Sequence, residues 1–217
     1  MANSEQHMIK NALPKHRLEA LTDAVFAIVM TLLVLGLSVP MFKESSMHQQ
    51  FTQLLEMWPK FASYFASFLL LGMIWSFEHY SSSLLKRSDS VSVWIHIIGL
   101  MFIALLPFST SLLGEYMGQQ LPVLIYEGNL FMVLLTGIVG WLYATGKYRL
   151  VAPDIDPQEV RGGKIGPLIA LTVIAIAIGA SFLNTVASMI IMVVCVDSSV
   201  TTRAAQTRIR VAEQIAK

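Results

Sequence analysis

The sequence predicts an all-α membrane protein with six transmembrane helices, and three observations carry that expectation. The 217 residues are 55% hydrophobic and only 13% charged, with a mean hydropathy of +0.63, far from the balance of a water-soluble domain. The apolar residues fall in long blocks divided by short polar ones. A soluble core instead alternates apolar and polar positions, because one face of each element must meet water. Several blocks also reach or approach the ~20 residues that a helix needs to cross the hydrocarbon core, and the alternating segments of about ten residues that build a membrane barrel are not seen.

The first predicted span covers residues 18–39, entered after Lys15, His16 and Arg17 and closed by Pro40; a polar loop with Lys43, Glu44 and His48 follows. The second covers 61–85, with Trp58 and Pro59 at its start and Lys86 and Arg87 at its end; tryptophan is a common anchor at the membrane interface. The third, 91–113, contains Pro107, which should bend it because proline lacks the amide hydrogen and crowds the preceding turn. The fourth, 121–144, leads into GKYRLVAPDIDPQEVRGGK, read as a loop from its acids, its prolines and the paired Gly162 and Gly163. The apolar run 165–196 is too long for one span at ordinary tilt. It is divided at 181–185, where Asn184 offers a turn, into spans 165–180 and 185–197. Residues 1–198 then form one six-span domain, and 199–217 a polar tail.

With six spans and a cytoplasmic amino terminus, the cytoplasmic side collects Lys10, Lys15, Arg17, Lys86, Arg87, Lys147, Arg149, Arg161, Lys164, Arg203, Arg208, Arg210 and Lys217, leaving Lys43 and Lys60 outside. That asymmetry obeys the positive-inside rule and puts both termini in the cytoplasm. Five spans would export the basic tail. No basic stripe points to nucleic acid, Cys195 has no second cysteine to pair with, and the polar first residues lack the apolar stretch of a cleaved signal peptide.

The first span differs from the others. Arg17, Glu19 and Asp23 fall within two turns, and AVFAIVMTLLVLGL follows with Thr31 as its polar interruption. At 100° per residue, with Ile28 at 0°, Leu32 lies at about 40°, Leu35 at about 340° and Thr31 at about 300°. Leu21 and Ala24 continue that stripe, while Asp23, at about 220°, points nearly the other way. A carboxylate inside a span faces protein or water and needs a partner. The candidates are His79 of the second span and His96 of the third, with Arg17 and the indoles of Trp75 and Trp94 nearby; Trp75 and His79, four apart, share a helix face. Arg17, Thr22, Asp23, Trp75, His79, Trp94 and His96 therefore read as one structural polar network that fixes how the first three helices pack. Two histidines and an aspartate on three helices lack the spacing of a metal site, and no cofactor is expected. Glu78 and Glu115 sit near span ends, where reaching water is cheap, while Glu127 is either an acid facing an outer vestibule or an interface residue. Gly137 with Gly140, and Ala175 with Gly179, suit close helix packing.

The segment RLEALTDAVFAIVMTLLVL resembles the first-helix signature of the transmembrane protein 175 family of potassium channels, in its prokaryotic single-repeat form: an arginine, three residues, then Phe-Ser-Asp ahead of an apolar helix. Here Arg17 is followed by Leu21-Thr22-Asp23, so Leu21 and Thr22 replace the usual pair, and His96 stands where asparagine is expected after Trp94. The likeness extends to WSFEHY (75–80) and LLPFSTSLLGEY (105–116). It implies a homotetramer in the bacterial inner membrane whose first helices line a central pore. Ile28, Leu32 and Leu35 would form an apolar constriction and Thr31 a polar ring, passing potassium ions as a leak-type channel without a carbonyl filter. Lipid and further copies of the chain are then its partners. Without the resemblance the stripe reads as ordinary helix packing. The competing function is a proton- or cation-coupled secondary transporter that uses Asp23, His79 and His96. An intramembrane hydrolase built on Ser76 and His79 has no visible oxyanion-hole motif, so no enzyme is expected.

Overall fold

The computed structural model describes residues 15–42 and 46–191. Lys10, Lys43, Glu44, Cys195, the tail 199–217 and the later part of the sixth predicted span lie outside the described residues. Within them the regular structure is helical: α1 (Lys15–Leu33, continued by a 3-10 turn Val34–Gly36), α2 (Met47–Glu56), α3 (Trp58–Ser83), α4 (Ser90–Ala104), α5 (Leu106–Glu115), α6 (Gln120–Thr145, followed by a 3-10 turn Gly146–Tyr148) and α7 (Pro157–Ser181). Among the described residues five stretches are long and apolar enough to cross a membrane: Lys15–Gly36, Trp58–Ser83, Ser90–Glu115, Gln120–Tyr148 and Pro157–Ser181. The 26-residue helices α3 and α6 run about 39 Å at 1.5 Å per residue, more than the ~30 Å of hydrocarbon. After Ser181 the chain turns and is helical again over 185–191. Asn184 caps that segment, its Oδ1 accepting from the amides of Val186 (2.9 Å) and Ala187 (3.2 Å).

α6 is the centre of the bundle, packed on α4, α5 and α7, while α1 lies against α3, α4 and α5. Successive spans run antiparallel, so one end of the bundle, the near face, gathers the starts of α1, α4 and α7. There Ser82 donates to Glu19 (2.6 Å), Tyr143 to Asp89 (2.7 Å) and the Trp141 indole to the Val160 carbonyl (3.2 Å). The loops on this face are riveted together as well. Leu85 and Val151 form an isolated antiparallel bridge, the Lys86 amide donates to the Leu150 carbonyl (2.9 Å), and Arg87 Nε donates to the Arg149 carbonyl (2.8 Å). At the far face Lys60 pairs with Glu115 (2.5 Å) and Gln120 donates to the Ser181 carbonyl (3.2 Å). Between the faces, Phe26, Val29 and Leu33 of α1 pack into a buried cluster with Leu71, Leu100, Leu106, Tyr126 and Leu130. Its one polar inclusion of note is a chain of hydroxyls in which Thr110 donates to Ser67 (2.9 Å) and Ser67 pairs with Tyr126 (3.0 Å). Each member is buried and satisfied, as the absence of water in a membrane interior requires.

The sequence expectations meet three corrections. Residues 47–56, expected in a polar loop, form α2. α7 begins at Pro157 rather than at 165, so the paired glycines sit inside a helix: Asp156 caps it by accepting from the Gln158 amide (2.8 Å), and proline at the first position needs no amide hydrogen. A helix can run past the hydrocarbon into water, where its charged residues are free to hydrate. Ala175 and Gly179 are exposed, and a Cβ on Gly179 would meet nothing within 4 Å, so among the described residues this pair makes no close packing. Pro107 has the expected effect: the third span is broken at Leu105 into α4 and α5, because the proline has no amide to give the carbonyl four residues earlier.

Candidate functional site

α1 buries one face and exposes the other. Thr22, Phe26, Val29 and Leu33, at helical spacing, face the chain's own core. On the opposite side Leu21 (42% exposed), Ile28 (58%), Leu32 (41%) and Leu35 (73%) project away from the bundle, with Thr31 exposed among them. The Thr31 hydroxyl donates back to the Ile28 carbonyl (2.7 Å), which leaves the lone pairs of its oxygen for another donor or a cation.

The polar residues of the first three spans form two pairs, not the single network expected. In the first, Asp23 is exposed and accepts from the Trp75 indole (2.9 Å), whose ring stacks on His79 with centroids 5.7 Å apart. In the second, Thr22 is buried, donates to the Leu18 carbonyl (2.8 Å) and lies 2.6 Å from His96 Nε2. Threonine has one hydroxyl proton; with it committed to the carbonyl, His96 donates from Nε2. The split follows from the helix. Consecutive residues point about 100° apart, so Thr22 turns toward α4 while Asp23 stays on the edge of the exposed arc that meets α3. Arg17 and Trp94, both exposed, make no hydrogen bond or ion pair among the described residues and belong to neither pair.

Between α1, α3, α4 and α6 lies an open cavity of about 270 Å³. Asp23, Glu78, His79 and His96 all border it, alongside apolar walls from Phe26 and Trp141. Glu78, expected to reach for water at a span end, instead sits half-buried in this wall. A Cβ on Gly137 would lie 3.5 Å from its Oε1, an ordinary contact, so the carboxyl rests beside the α6 backbone. Glu127 is only 1% exposed and is bonded to Ser188, whose hydroxyl also reaches the Ala177 carbonyl (2.8 Å). It joins α6 to the segment after α7 and faces no vestibule. Ile28, Thr31, Leu32 and Leu35 do not border the cavity; they open only to the outside of the chain. Among the described residues no three His, Cys, Asp or Glu side chains come together as a metal site would require.

Sequence reasoning missed Glu78 as a cavity residue and the Thr110–Ser67–Tyr126 chain. The signal for the latter was present, since a hydroxyl at midspan must find a partner inside the protein, but which helices supply it depends on how they pack.

The family model of the endosomal/lysosomal potassium channel TMEM175 matches residues 17–107. A potassium channel of Streptomyces collinus is 28% identical over 172 residues, 77% of this chain and 82% of that one. A potassium channel of Chamaesiphon minutus is 32% identical over 147 residues, 66% of this chain and 72% of that one. The crystal structure of a lysosomal potassium-selective channel TMEM175 homolog from Chamaesiphon minutus superposes with a TM-score of 0.77 at 25% identity, covering 87% of this chain and 97% of that one.

Proposed function

Since the chain belongs to the TMEM175 family, whose members are ion channels and not enzymes, we propose that it is a potassium-selective, leak-type channel built from four copies around the exposed stripe of α1. The observation that supports this reading is the division of α1. Its core-facing side is packed within the chain, while Ile28, Leu32 and Leu35 point out of it and do not border the cavity. A path lined by this stripe is therefore shared between copies.

Ile28 and Leu35 are seven residues apart, so the apolar neck is about 10 Å long at 1.5 Å per residue. A cation entering it sheds part of its hydration shell, and four Thr31 oxygens supply partial replacement; a neck this apolar also closes by dewetting. The Asp23–Trp75 pair pins α1 to α3 beside the stripe and so sets the direction in which the stripe faces. The near face is cytoplasmic, the chain completes a sixth span after residue 185, and the membrane is a bacterial inner membrane with both termini in the cytoplasm.

Planar-bilayer recording under potassium/sodium bi-ionic conditions tests the assignment. Ile28→Ala and Leu35→Ala should raise unitary conductance and lower the potassium-to-sodium ratio; unchanged values for both would sink the pore reading. A second reading is supported by one observation, that Asp23, His79 and His96 border the same open cavity. They would serve a proton- or cation-coupled carrier. Potassium uptake that follows an imposed proton gradient, without unitary currents, and that is lost in His96→Ala, would favour it.

A further inference from the structure

α2 takes no part in the pathway above, and its ten residues divide into three arcs. At 100° per residue from Met47, Phe51 lies at about 40°, Leu54 at about 340° and Leu55 at about 80°. These side chains are 86%, 61%, 43% and 57% exposed, in chain order. His48, Gln49, Thr52 and Glu56 occupy the adjoining arc from about 100° to 200° and are exposed as well. The third arc, with Gln50 and Gln53, is half-buried and rests on the chain's own body. α2 thus touches its own protein with a polar edge and turns its apolar arc away from it.

The position of the helix indicates what covers that arc. α2 lies between the far end of α1 and the far start of α3 and is joined to α3 through Met57 alone. It therefore sits at the depth where the spans leave the hydrocarbon. Trp58, the first residue of α3, is exposed there, and the apolar surface continues down α3 through Phe65 and Leu69, both exposed. Tryptophan at a span end is an interfacial anchor, and an apolar arc bordered by a polar one is what a helix lying in the membrane surface requires. With His48 and Glu56 as its only titratable groups, α2 has no charge preference for anionic lipid.

We propose that α2 lies in the membrane surface, with Met47, Phe51, Leu54 and Leu55 buried in the boundary between phospholipid headgroups and acyl chains and Gln49 and Thr52 facing water.

The test uses the full-length chain with Cys195→Ala, reconstituted in vesicles of zwitterionic phosphatidylcholine. Single cysteines replace Phe51, Leu55, Gln49 or Thr52, each carrying a nitroxide, and ion flux confirms that every variant is assembled. Collision with molecular oxygen, which partitions into lipid, is compared with collision with a water-soluble nickel chelate. The oxygen-to-nickel ratio should be several-fold higher at 51 and 55 than at 49 and 52. Equal ratios at all four sites would place the helix in water and overturn the proposal. Immobilised spectra at 51 and 55, shielded from both reagents, would show another copy of the chain on the arc and overturn it equally.

Discussion

Gly162 and Gly163 are neighbours in α7, yet alanine should act on them in opposite directions. A Cβ on Gly163 would lie 2.5 Å from Trp141 Cζ2 and 2.7 Å from its Nε1, whereas a Cβ on Gly162 would meet nothing within 4 Å. The Trp141 ring is 5% exposed and its indole N–H is held by the Val160 carbonyl at 3.2 Å, so it cannot withdraw without giving up that bond. Replacing glycine by alanine inside a helix gains about 0.5–1 kcal/mol at either position. At 162 this gain is the whole effect. At 163 it is set against about 1–3 kcal/mol of overpacking. The propensity gain cancels between the two variants, so Gly163→Ala should be about 1–3 kcal/mol less stable than Gly162→Ala. At roughly 2–4 °C per kcal/mol for a chain of this size, thermal unfolding in detergent, followed by size-exclusion chromatography, should separate them by roughly 2–12 °C. Gly162→Ala should lie above wild type. Equal midpoints for the two variants would refute the α6–α7 contact on which the argument rests.

Three further outcomes are expected. Ser67→Ala strands the buried hydroxyls of both Tyr126 and Thr110, whereas Tyr126→Phe leaves Ser67 with Thr110 as a partner. Denaturant titration should therefore show about 0.5–1.5 kcal/mol lost for Tyr126→Phe and at least twice that for Ser67→Ala. Lys60→Met removes an ion pair whose carboxylate side chain is 51% exposed, so the same titration should register less than about 1 kcal/mol. Trp75→Phe keeps a ring to stack on His79 but deletes the donor to Asp23; because that carboxylate is exposed, stability should fall by about 1 kcal/mol or less, while bi-ionic reversal potentials shift if the pair orients the stripe.

Five of the spans were legible because in a membrane the hydrophobic signal is a matter of block length, and the direction of the α1 stripe was legible because helical periodicity depends on the sequence alone. What failed to read was local structure outside the hydrocarbon. Proline, glycine and acids in 153–163 look like loop signals. The same letters, DPQE at 156–159, also spell a helix start, with Asp156 as cap and Pro157 at the first position. The stripe Met47, Phe51, Leu54, Leu55 was likewise available as an amphipathic pattern and was obscured by the glutamines between. The polar residues of the first three spans raised a different difficulty. Their types name possible partners, but whether Thr22 or Asp23 reaches His96 depends on which neighbouring helix each side chain meets. Glu78 was misplaced for the same reason, and of the two readings left open for Glu127 the interface one holds, because depth within a bundle is a tertiary property.

The rivet between the 85–87 and 149–151 segments bears on how the molecule can be instrumented. It ties the α3–α4 hairpin to the α6–α7 hairpin, so a reporter spliced into either strand of the rivet would wedge the two hairpins apart. A few residues on, Pro153 and Asp154 are exposed and lie beyond the bridge. A fluorophore or epitope inserted between them would ride on a plate made of four helix ends and report its displacement as a whole, with little contribution from the slack of its own loop.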